Sequence, residues 1–342
     1  MRIHTGPVES FEALGVEWRA LEARLPSANF FQSFSWIGCL AEERYPDPVL
    51  LRAEANGATL GLALFNRRRG RLFLAESGDP GLDAPFIEHN APLAADDHVA
   101  AALLRAAWKV PGANRLVLAG VAPALAGLAG GTVWRRQQRL APYIDLHALR
   151  VSGSDYLDSR SANTRQQIRR SNRSYAGLTL TAAADTAQAL LFFEAMLPLH
   201  GRTWHDRGVA GAFATDFMRR FHRALIGAAA PRGEVEMLRL HAGATDVGYL
   251  YNFRMNNRVH AYQSGLDHAG AGPHGKPGLS GHALAVRRAL AAGDAVYDFM
   301  AGDDRYKRSL ASGVVSLDWA ELVPRWSAAG LAARLRRRLA GE

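Results

Sequence analysis

Ionisable side chains are concentrated between Val296 and Lys307, where a run typical of a buried strand ends in a glycine turn. Asp298 lies within the run, Gly302 lies in the turn, and Tyr306 and Lys307 follow within a few residues. A carboxylate at such a place can accept a proton, and a lysine can hold a phosphate or a developing oxyanion. Two plainer interpretations stay open: the carboxylate caps the turn or pairs with an arginine, and the lysine is solvated. The pattern indicates an active site at a strand end.

A glycine-rich loop precedes a predicted helix upstream of that strand. The loop spans 270–280, and the helix is expected over about 279–292. Glycine permits close backbone approach, and the free N–H groups and positive dipole end of a helix favour anions. We therefore predict a phosphate or pyrophosphate site, and a mobile connection is the alternative. The residues expected to form this site are Lys276, Gly278, Leu279 and Ser280.

Two further basic segments could contact a ligand. Trp204 and Arg207 lie near the end of a predicted long helix, where they either bind an acceptor or cap the helix with positive charge. Arg165, Arg169 and Arg173 repeat every four residues on a predicted helix over 160–174. That stripe is solvated, contacts acidic residues of the other domain, or faces a phosphorylated substrate. No set of histidine, cysteine and carboxylate residues has metal-ligand spacing, so no metal site is predicted.

Together these motifs resemble the acyltransferase domain of the GNAT superfamily in cellulose-biosynthesis CelD-type proteins, which is related to the Fem peptidoglycan aminoacyltransferases. The resemblance is strongest over about 155–310. It is carried by Tyr262-Gln263-Ser264-Gly265, Pro277-Gly278-Leu279, Gly293, Tyr297-Asp298-Phe299, Gly302 and Tyr306-Lys307.

The resemblance implies two tandem GNAT-like modules and acyl transfer to an amine. It implies Asp298, Tyr306 and Lys307 as catalytic residues, with Tyr262 and Gln263 at the substrate. The Arg/Gln-x-x-Gly-x-Gly/Ala loop that binds pyrophosphate in ordinary GNAT enzymes is missing. The donor is therefore either acyl-CoA or another activated acyl carrier.

Hydrophobic periodicity predicts an α/β (α+β) protein in which a mixed, largely antiparallel sheet is flanked by helices in each module. The first half should contain a helix that begins at Ser10, a second that begins at Ser33 or Ser35, and a hairpin at Asn56-Gly57. Further elements of this half are expected at 71–74, 95–109, 115–119, 132–139 and 143–146. In the second half, helices are expected at 160–174, 185–206, 213–227 and 279–292, and strands at 235–240, 245–254, 259–266 and 295–300.

Length and charge divide the chain. The 342 residues, 48% of them apolar, suit two domains of ordinary size. We place the boundary at 149–154, which gives an N-terminal module over 1–150 and a C-terminal module over 151–342. The formal net charge of +9 divides into +1 and +8 between these ranges, so an anionic partner should bind the second. The one cysteine, Cys39, is expected to be a core thiol, and it excludes an intrachain disulfide.

The C-terminal segment repeats Leu331, Leu335 and Leu339 on one helical face among four arginines. Such a helix either covers the sheet of its own domain or lies on an anionic membrane. No run of 18 apolar residues and no apolar signal region occur, so a soluble cytoplasmic protein is expected. Peripheral contact with the inner face of a membrane remains open.

The sequence thus predicts an N-acyltransferase with acyl-CoA as donor substrate and no metal. Its expected acceptor is a small-molecule or lipid-linked amine of a cell-envelope precursor, either an amino sugar or an amino lipid. One alternative is a Fem-type transferase that uses aminoacyl-tRNA, although no long heptad segment for RNA contact is present. Another is a non-catalytic module that binds an anionic surface or RNA, although no common RNA-binding motif occurs. DNA is not expected as a partner.

Overall fold

The computed structural model describes residues 1–83, 87–302 and 304–340. It divides into two compact units, and the second unit spans Leu140–Val315. The first unit combines Met1–Arg139 with the segment that begins at Ser316. The C-terminal segment, assigned above to the module over 151–342, thus lies with the first unit. The reason is strand pairing, because a strand that contains Leu322 pairs antiparallel with Leu116 and its neighbours.

The strands, in chain order, are β1 Arg2–Pro7, β2 Pro48–Ala55, β3 Ala58–Arg68, β4 Arg71–Leu74, β5 Leu93–Ala94, β6 Arg115–Val121, β7 Thr132–Asp145, β8 Leu178–Ala182, β9 Val235–Ala242, β10 Thr245–Met255, β11 Arg258–Leu266, β12 Val296–Asp298 and β13 Gly313–Val323. The helices are α1 Phe11–Glu22, α2 Phe34–Ile37, α3 Ala41–Arg44, α4 Asp97–Ala107, α5 Pro123–Leu128, α6 Leu146–Ser152, α7 Ala162–Ser174, α8 Thr186–Asp206, α9 Asp216–Ala229, α10 Pro277–Ala291, α11 Arg305–Leu310 and α12 Ala328–Ala340.

In the first unit the sheet order is β1-β2-β3-β4-β6-β13. Its strands pair antiparallel except for β4 and β6, which are parallel. The predicted hairpin is confirmed, because Asn56 and Gly57 both have left-handed backbone angles, as the two-residue turn requires. The helix that begins after Ser10 is also confirmed, and the Ser10 side chain accepts a hydrogen bond from the Ala13 amide. Cys39 is buried, as expected for a core thiol.

In the second unit the sheet order is β7-β12-β11-β10-β9-β8, and among its described residues only β11 and β12 pair in parallel. The predicted mixed, largely antiparallel sheet flanked by helices is confirmed. Side chains of a strand alternate between the two faces of its sheet. Accordingly Leu250 of β10 packs in one core with Val286 of α10, whereas Tyr251 packs against Phe193 of α8. The sheet of this unit is therefore covered on both faces.

Three local predictions differ from the structure. The second helix is not continuous, because α2 ends at Ile37 and Leu40 has a left-handed φ of 47° before α3 begins. The two strands predicted over 132–146 form the single strand β7. Strands β1, β5, β8 and β13 lie outside the predicted elements.

The predicted C-terminal helix is present as α12. Its leucines at 331, 335 and 339 are 53%, 61% and 81% exposed, so they do not cover the sheet of their own unit. Ala333, which is 4% exposed, lies on the packed side instead. Among the residues that the structure describes, no helix is long and apolar enough to cross a membrane.

Candidate active site

The parallel strands β11 and β12 pair over only three residues each, Arg258–His260 against Val296–Asp298. Strand β11 then continues to Leu266 beside β10. Beyond its last pair, β12 no longer accompanies it, so the edge of β11 over 261–266 is not paired by β12.

The chain that follows β12 stays close to β7 and turns away from β11. The Phe299 amide donates to the Pro142 carbonyl at 2.9 Å, and the Gly302 amide donates to the Leu140 carbonyl at 3.0 Å. The two parallel strands therefore diverge at their carboxyl ends. Ligands of open α/β sheets bind at such ends, where neighbouring strands separate.

Helix α10 connects the diverging strands and begins at the loop predicted to bind an anion. Pro277 occupies its first turn. The residue before it, Lys276, is the N-cap residue, and its side chain accepts no hydrogen bond from the first-turn amides. The amides of Gly278 and Leu279 lie in the first turn, where a helix provides no acceptor for them. No acidic residue occurs in that turn. The positive end of the helix dipole and the first-turn amides of α10 therefore suit a phosphate.

Ser280 is fully buried and anchors α10 to helix α7. Its hydroxyl lies 2.7 Å from the hydroxyl of Ser171 on α7. The Ser171 hydroxyl also accepts a hydrogen bond from the Lys276 amide at 2.8 Å. Of the four residues predicted at this anion site, Ser280 thus fixes the position of the helix start.

Helix α7 brings two further polar side chains to the start of α10. The Lys276 ammonium donates to the Gln167 side-chain oxygen at 2.8 Å. The Arg170 guanidinium lies 2.5 Å from the His274 imidazole in the preceding loop. Lys276, Arg170 and His274 are all exposed, so their charges can reach a ligand. We call Arg170, His274 and Lys276 the basic cluster.

Sequence reasoning missed Gln167, Arg170 and His274 as site residues. Gln167, Arg170 and Ser171 recur at helical spacing and form a polar face of α7, which is the signal that could have indicated them. The predicted arginine stripe, Arg165, Arg169 and Arg173, makes different contacts. Arg165 donates to the Asp158 and Arg160 carbonyls, and the Arg169 guanidinium lies 3.9 Å from the Asp158 carboxylate.

Asp298 and Lys307 meet at the turn that follows β12. The fully buried Asp298 carboxylate accepts a hydrogen bond from the Met300 amide at 2.8 Å and lies 3.9 Å from the Arg258 guanidinium. The Lys307 ammonium donates to the carbonyls of Met300 and Ala301 at 3.3 and 3.0 Å. Both side chains therefore hold the same turn at the mouth of the divergence. Their catalytic roles stay a prediction.

Tyr306 stacks on a buried histidine of α10. Its ring centroid is 6.0 Å from that of His282, with 21° between the planes. The His282 Nδ1 lies 3.0 Å from the Tyr297 hydroxyl. Burial, assisted by the Lys307 charge, lowers the pKa of His282 to about 3, so the imidazole is neutral at neutral pH. Burial and the Asp304 carboxylate raise the pKa of Tyr306, so its hydroxyl keeps its proton.

The two acceptor candidates, Trp204 in the last turn of α8 and Arg207 directly after it, pack together. The Arg207 guanidinium lies over the Trp204 ring, 5.2 Å from its centroid. The charge of Arg207 lowers the pKa of Tyr306, against the larger raising effect of burial. Arg207 is therefore within electrostatic range of the Tyr306 hydroxyl. The structure therefore gathers Trp204, Arg207 and Tyr306 in one region of the second unit.

The two candidates on β11 both lie on the face of the sheet that α8 covers. Tyr262 is 6% exposed, and its ring packs 4.4 Å from that of Phe253 in an aromatic cluster with His222 and Tyr251. The half-buried Gln263 lies on the same face, because a bulge in β11 at Tyr262 makes Gln263 the direct partner of Tyr251 across the strand pair. Tyr262 thus belongs to the packing of α8 and α9, and neither residue is on the face of the predicted anion site.

The first unit contains a second pair of parallel strands. A segment of the same unit fills the space where these two strands end. Strands β4 and β6 pair in parallel over 71–73 and 115–117. Beyond these residues, the Asn90 amide donates to the Gly120 carbonyl, and the Asn90 side chain donates to the Leu74 carbonyl, both at 3.0 Å. A Cβ on Gly120, whose φ is 65°, would lie 2.3 Å from the Ile87 carbonyl oxygen. The segment 87–90 therefore fills the space between the carboxyl ends of β4 and β6.

The helix that follows in the first unit also has the wrong charge for an anion. Helix α4 is capped by the Asp96 carboxylate, which accepts from the Val99 amide, and Asp97 lies in its first turn. Both carboxylates would repel a phosphate there. The described residues thus contain one anion-suited helix start beside a diverging parallel pair, and it lies in the second unit.

The described part of the chain contains no group of three histidine, cysteine or carboxylate side chains that could hold a metal ion.

Comparison with known proteins identifies the second unit. Residues 159–308 match the model of the acetyltransferase (GNAT) domain family. They carry a GNAT acetyltransferase domain. No curated protein sequence matches the chain.

Solved structures of similar fold cover 96% or more of the chain. FemX superposes with a TM-score of 0.61 at 10% identity over 100% of both chains. The C-terminal domain of a putative lysylphosphatidylglycerol synthetase from Agrobacterium fabrum gives 0.58 at 13% identity over 96% of this chain and 97% of that one. L-PGS from Bacillus licheniformis gives 0.56 at 13% identity with the same coverage. At these identities the similarity shows the fold alone.

Proposed function

We propose that the chain is an N-acyltransferase that takes an acyl group from acyl-CoA and transfers it to an amine of a cell-envelope precursor, either an amino sugar or an amino lipid. The observation that carries the proposal is the divergence of β11 and β12 beside the start of α10. That arrangement offers an extended backbone edge and an anion site next to each other, which suits a ligand with amide groups and phosphates. The CelD-like and FemAB-like type is part of the proposal.

The donor's phosphates are proposed to lie at the basic cluster and the first-turn amides of α10. Both the helix dipole and the charges of Lys276 and Arg170 favour anions there. The pantetheine amides are proposed to pair with the edge of β11 between its last β12 partner, His260, and Ser264, whose carbonyl already lies 2.9 Å from the His200 Nδ1, because an extended chain can add to an unpaired strand edge. This orientation directs the thioester toward the turn held by Asp298 and Lys307.

In the proposed reaction the amine nitrogen attacks the thioester carbonyl, a carbon–nitrogen bond forms, and the carbon–sulfur bond breaks. We assign Asp298 to accept or position the amine proton and Lys307 to stabilise the developing oxyanion. Tyr306, whose hydroxyl stays protonated, can donate its proton to the departing thiolate. Trp204 and Arg207 are proposed to contact the acceptor, with Gln263 on the same α8 face of the sheet.

A Fem-type transferase with an aminoacyl-tRNA donor is the second candidate. The similarity of fold to FemX favours it, and the basic cluster could bind the phosphates of either donor. A non-catalytic module that binds an anionic surface or RNA is the third. These candidates predict different ligands, so donor binding distinguishes them.

Calorimetric titration with CoA tests the donor. We expect one CoA per chain, because the segment 87–90 closes the corresponding gap of the first unit. Lys276→Glu should weaken CoA binding by about 10- to 30-fold, because it replaces an attractive charge beside the phosphates by a repulsive one. Lys109→Glu makes the same charge change on the surface of the first unit and should leave the affinity unchanged.

Three results would contradict parts of the proposal. Absence of CoA binding at low salt would remove acyl-CoA as donor, and binding of aminoacyl-tRNA instead would support the Fem-type reaction. A stoichiometry of two would show that the first unit also binds a donor. Equal weakening by Lys276→Glu and Lys109→Glu would place the phosphates elsewhere.

A further inference from the structure

Helix α12 exposes an apolar stripe instead of burying it. Leu331, Leu335 and Leu339 recur every four residues on one face and are 53%, 61% and 81% exposed. Trp326, directly before the helix, is 75% exposed. Four large apolar side chains thus lie exposed within 14 residues. Such a concentration on a surface indicates an interaction site.

The packing of α12 fixes which face is exposed. Ala333 is buried, and the Arg336 guanidinium lies over the Trp134 ring of the same unit, 3.9 Å from its centroid. A Cβ on Gly330 would lie 2.3 Å from the Pro324 carbonyl oxygen, so the start of the helix is close to the preceding backbone. These contacts hold the helix from one side, and the leucines face the other.

Positive charge surrounds the stripe. The helix contains four arginines and no acidic residue. Arg334 and Arg338 each follow a stripe position by three residues, which places them at its border. The Arg334 guanidinium lies over the Trp326 ring, 4.6 Å from its centroid, and that of Arg325 lies 5.2 Å from it. Leucines bordered by arginines and a tryptophan are typical of a helix at a membrane interface.

We propose that α12 and Trp326 dock the chain on an anionic lipid bilayer. The helix would lie in the interface, with its leucines among the acyl chains and its arginines at the lipid phosphates. Charge complementarity favours this occupant. A second copy of the chain would bring two arginine-rich helices together, and a nucleic acid would satisfy the arginines but offer no apolar layer for the leucines.

Docking would place the second unit where a lipid-linked amine is available. To that extent the inference rests on the proposed function and selects the amino lipid over a soluble amino sugar. Membrane binding itself does not depend on the donor, because the helix belongs to the first unit and the proposed donor site to the second.

Vesicle cosedimentation tests the docking. The full chain should bind equimolar phosphatidylglycerol–phosphatidylcholine vesicles and show little binding to phosphatidylcholine alone. The double variant Leu335→Ser, Leu339→Ser should bind the anionic vesicles about 100-fold more weakly, since each leucine transferred from water contributes about tenfold. Leu191→Ser, at another exposed leucine, is the matched control and should bind like the wild type.

A charge variant measures the electrostatic contribution to vesicle binding separately from that of the leucines. Arg338→Glu should weaken binding to the anionic vesicles by tenfold or more, because each basic residue near an anionic leaflet contributes about fivefold and the substitution adds a repulsive charge. Arg2→Glu changes a surface charge far along the chain and should have no such effect. Raising the salt concentration should weaken the wild-type binding.

Four outcomes would overturn the docking proposal. These are equal binding to neutral and anionic vesicles, unchanged binding by the leucine variant, a lower melting temperature of that variant, and a dimer in light scattering that the variant dissociates. The last would assign the stripe to a second copy. CoA calorimetry on the same samples keeps the two proposals apart: chains that bind CoA but ignore vesicles refute only the docking, and chains that bind vesicles but not CoA refute only the donor.

Discussion

Asp298→Ala is expected to lower the free energy of unfolding by about 3 kcal/mol. The carboxylate is fully buried and accepts a hydrogen bond from the Met300 amide. Its removal leaves that amide without this acceptor, removes the nearby counter-charge of Arg258 and opens a cavity. Urea unfolding measures the loss. Asp206→Ala, at an exposed position of the second unit, should change stability by less than about 0.5 kcal/mol.

Asp298→Asn separates this structural role from the proposed catalytic one. The amide oxygen can still accept from Met300, so the fold and the CoA affinity should be retained. The variant cannot accept a proton, and we expect turnover to fall by about 10²- to 10⁴-fold. The measurement uses acetyl-CoA and the amine that the wild type acylates fastest. A variant that is stable and turns over at the wild-type rate would leave Asp298 as a residue that positions the turn and reject it as the base.

The parts of the fold that could be predicted from sequence are those set by local signals. The Asn56-Gly57 turn and the Ser10 cap each act within a few residues, and both are present. Strand β13 could not be assigned in the same way, because its place depends on pairing with β6, about 200 residues earlier. Strand β8 alternates between half-buried and exposed residues, so it lacks the continuous apolar run of the other strands.

The same distinction applies to the site. The anion-suited start of α10 could be predicted because glycine, proline and lysine act locally. The contribution of Arg170 could not, because it depends on the packing of α7 against α10, which the buried Ser171 and Ser280 hydroxyls fix. The position of Tyr262 also depends on packing: the resemblance places it at the substrate, and in the structure it lies at a bulge of β11 in an aromatic cluster on the α8 face. Its contact with substrate stays a prediction.

The folding stability of the chain should fall by about 3 kcal/mol between pH 7 and pH 4.5 through His282 alone. Burial, then the Lys307 charge, lowers the pKa of this histidine from 6.5 to about 3. The folded state therefore favours the neutral imidazole, and below pH 6.5 the unfolded state binds a proton that the folded state does not. The stabilisation is fully present above this pKa of the unfolded chain and is lost as the pH falls below it, by about 1.4 kcal/mol per pH unit.

His282→Gln should remove this slope, because glutamine does not titrate and can keep a hydrogen bond to the Tyr297 hydroxyl. The test compares urea unfolding of the wild type and the variant at several pH values between 7 and 4.5. The quantity of interest is the difference between their slopes of unfolding free energy against pH. Loss of the ring contact with Tyr306 does not affect this difference, because it shifts the stability of the variant equally at every pH. His147→Gln, at an exposed position of the same unit, should keep the wild-type slope. If wild type and His282→Gln lose stability in parallel, the imidazole is reached by water and takes up its proton within the folded chain, and the enclosed His282–Tyr306 stack beside Lys307 would then be open to solvent.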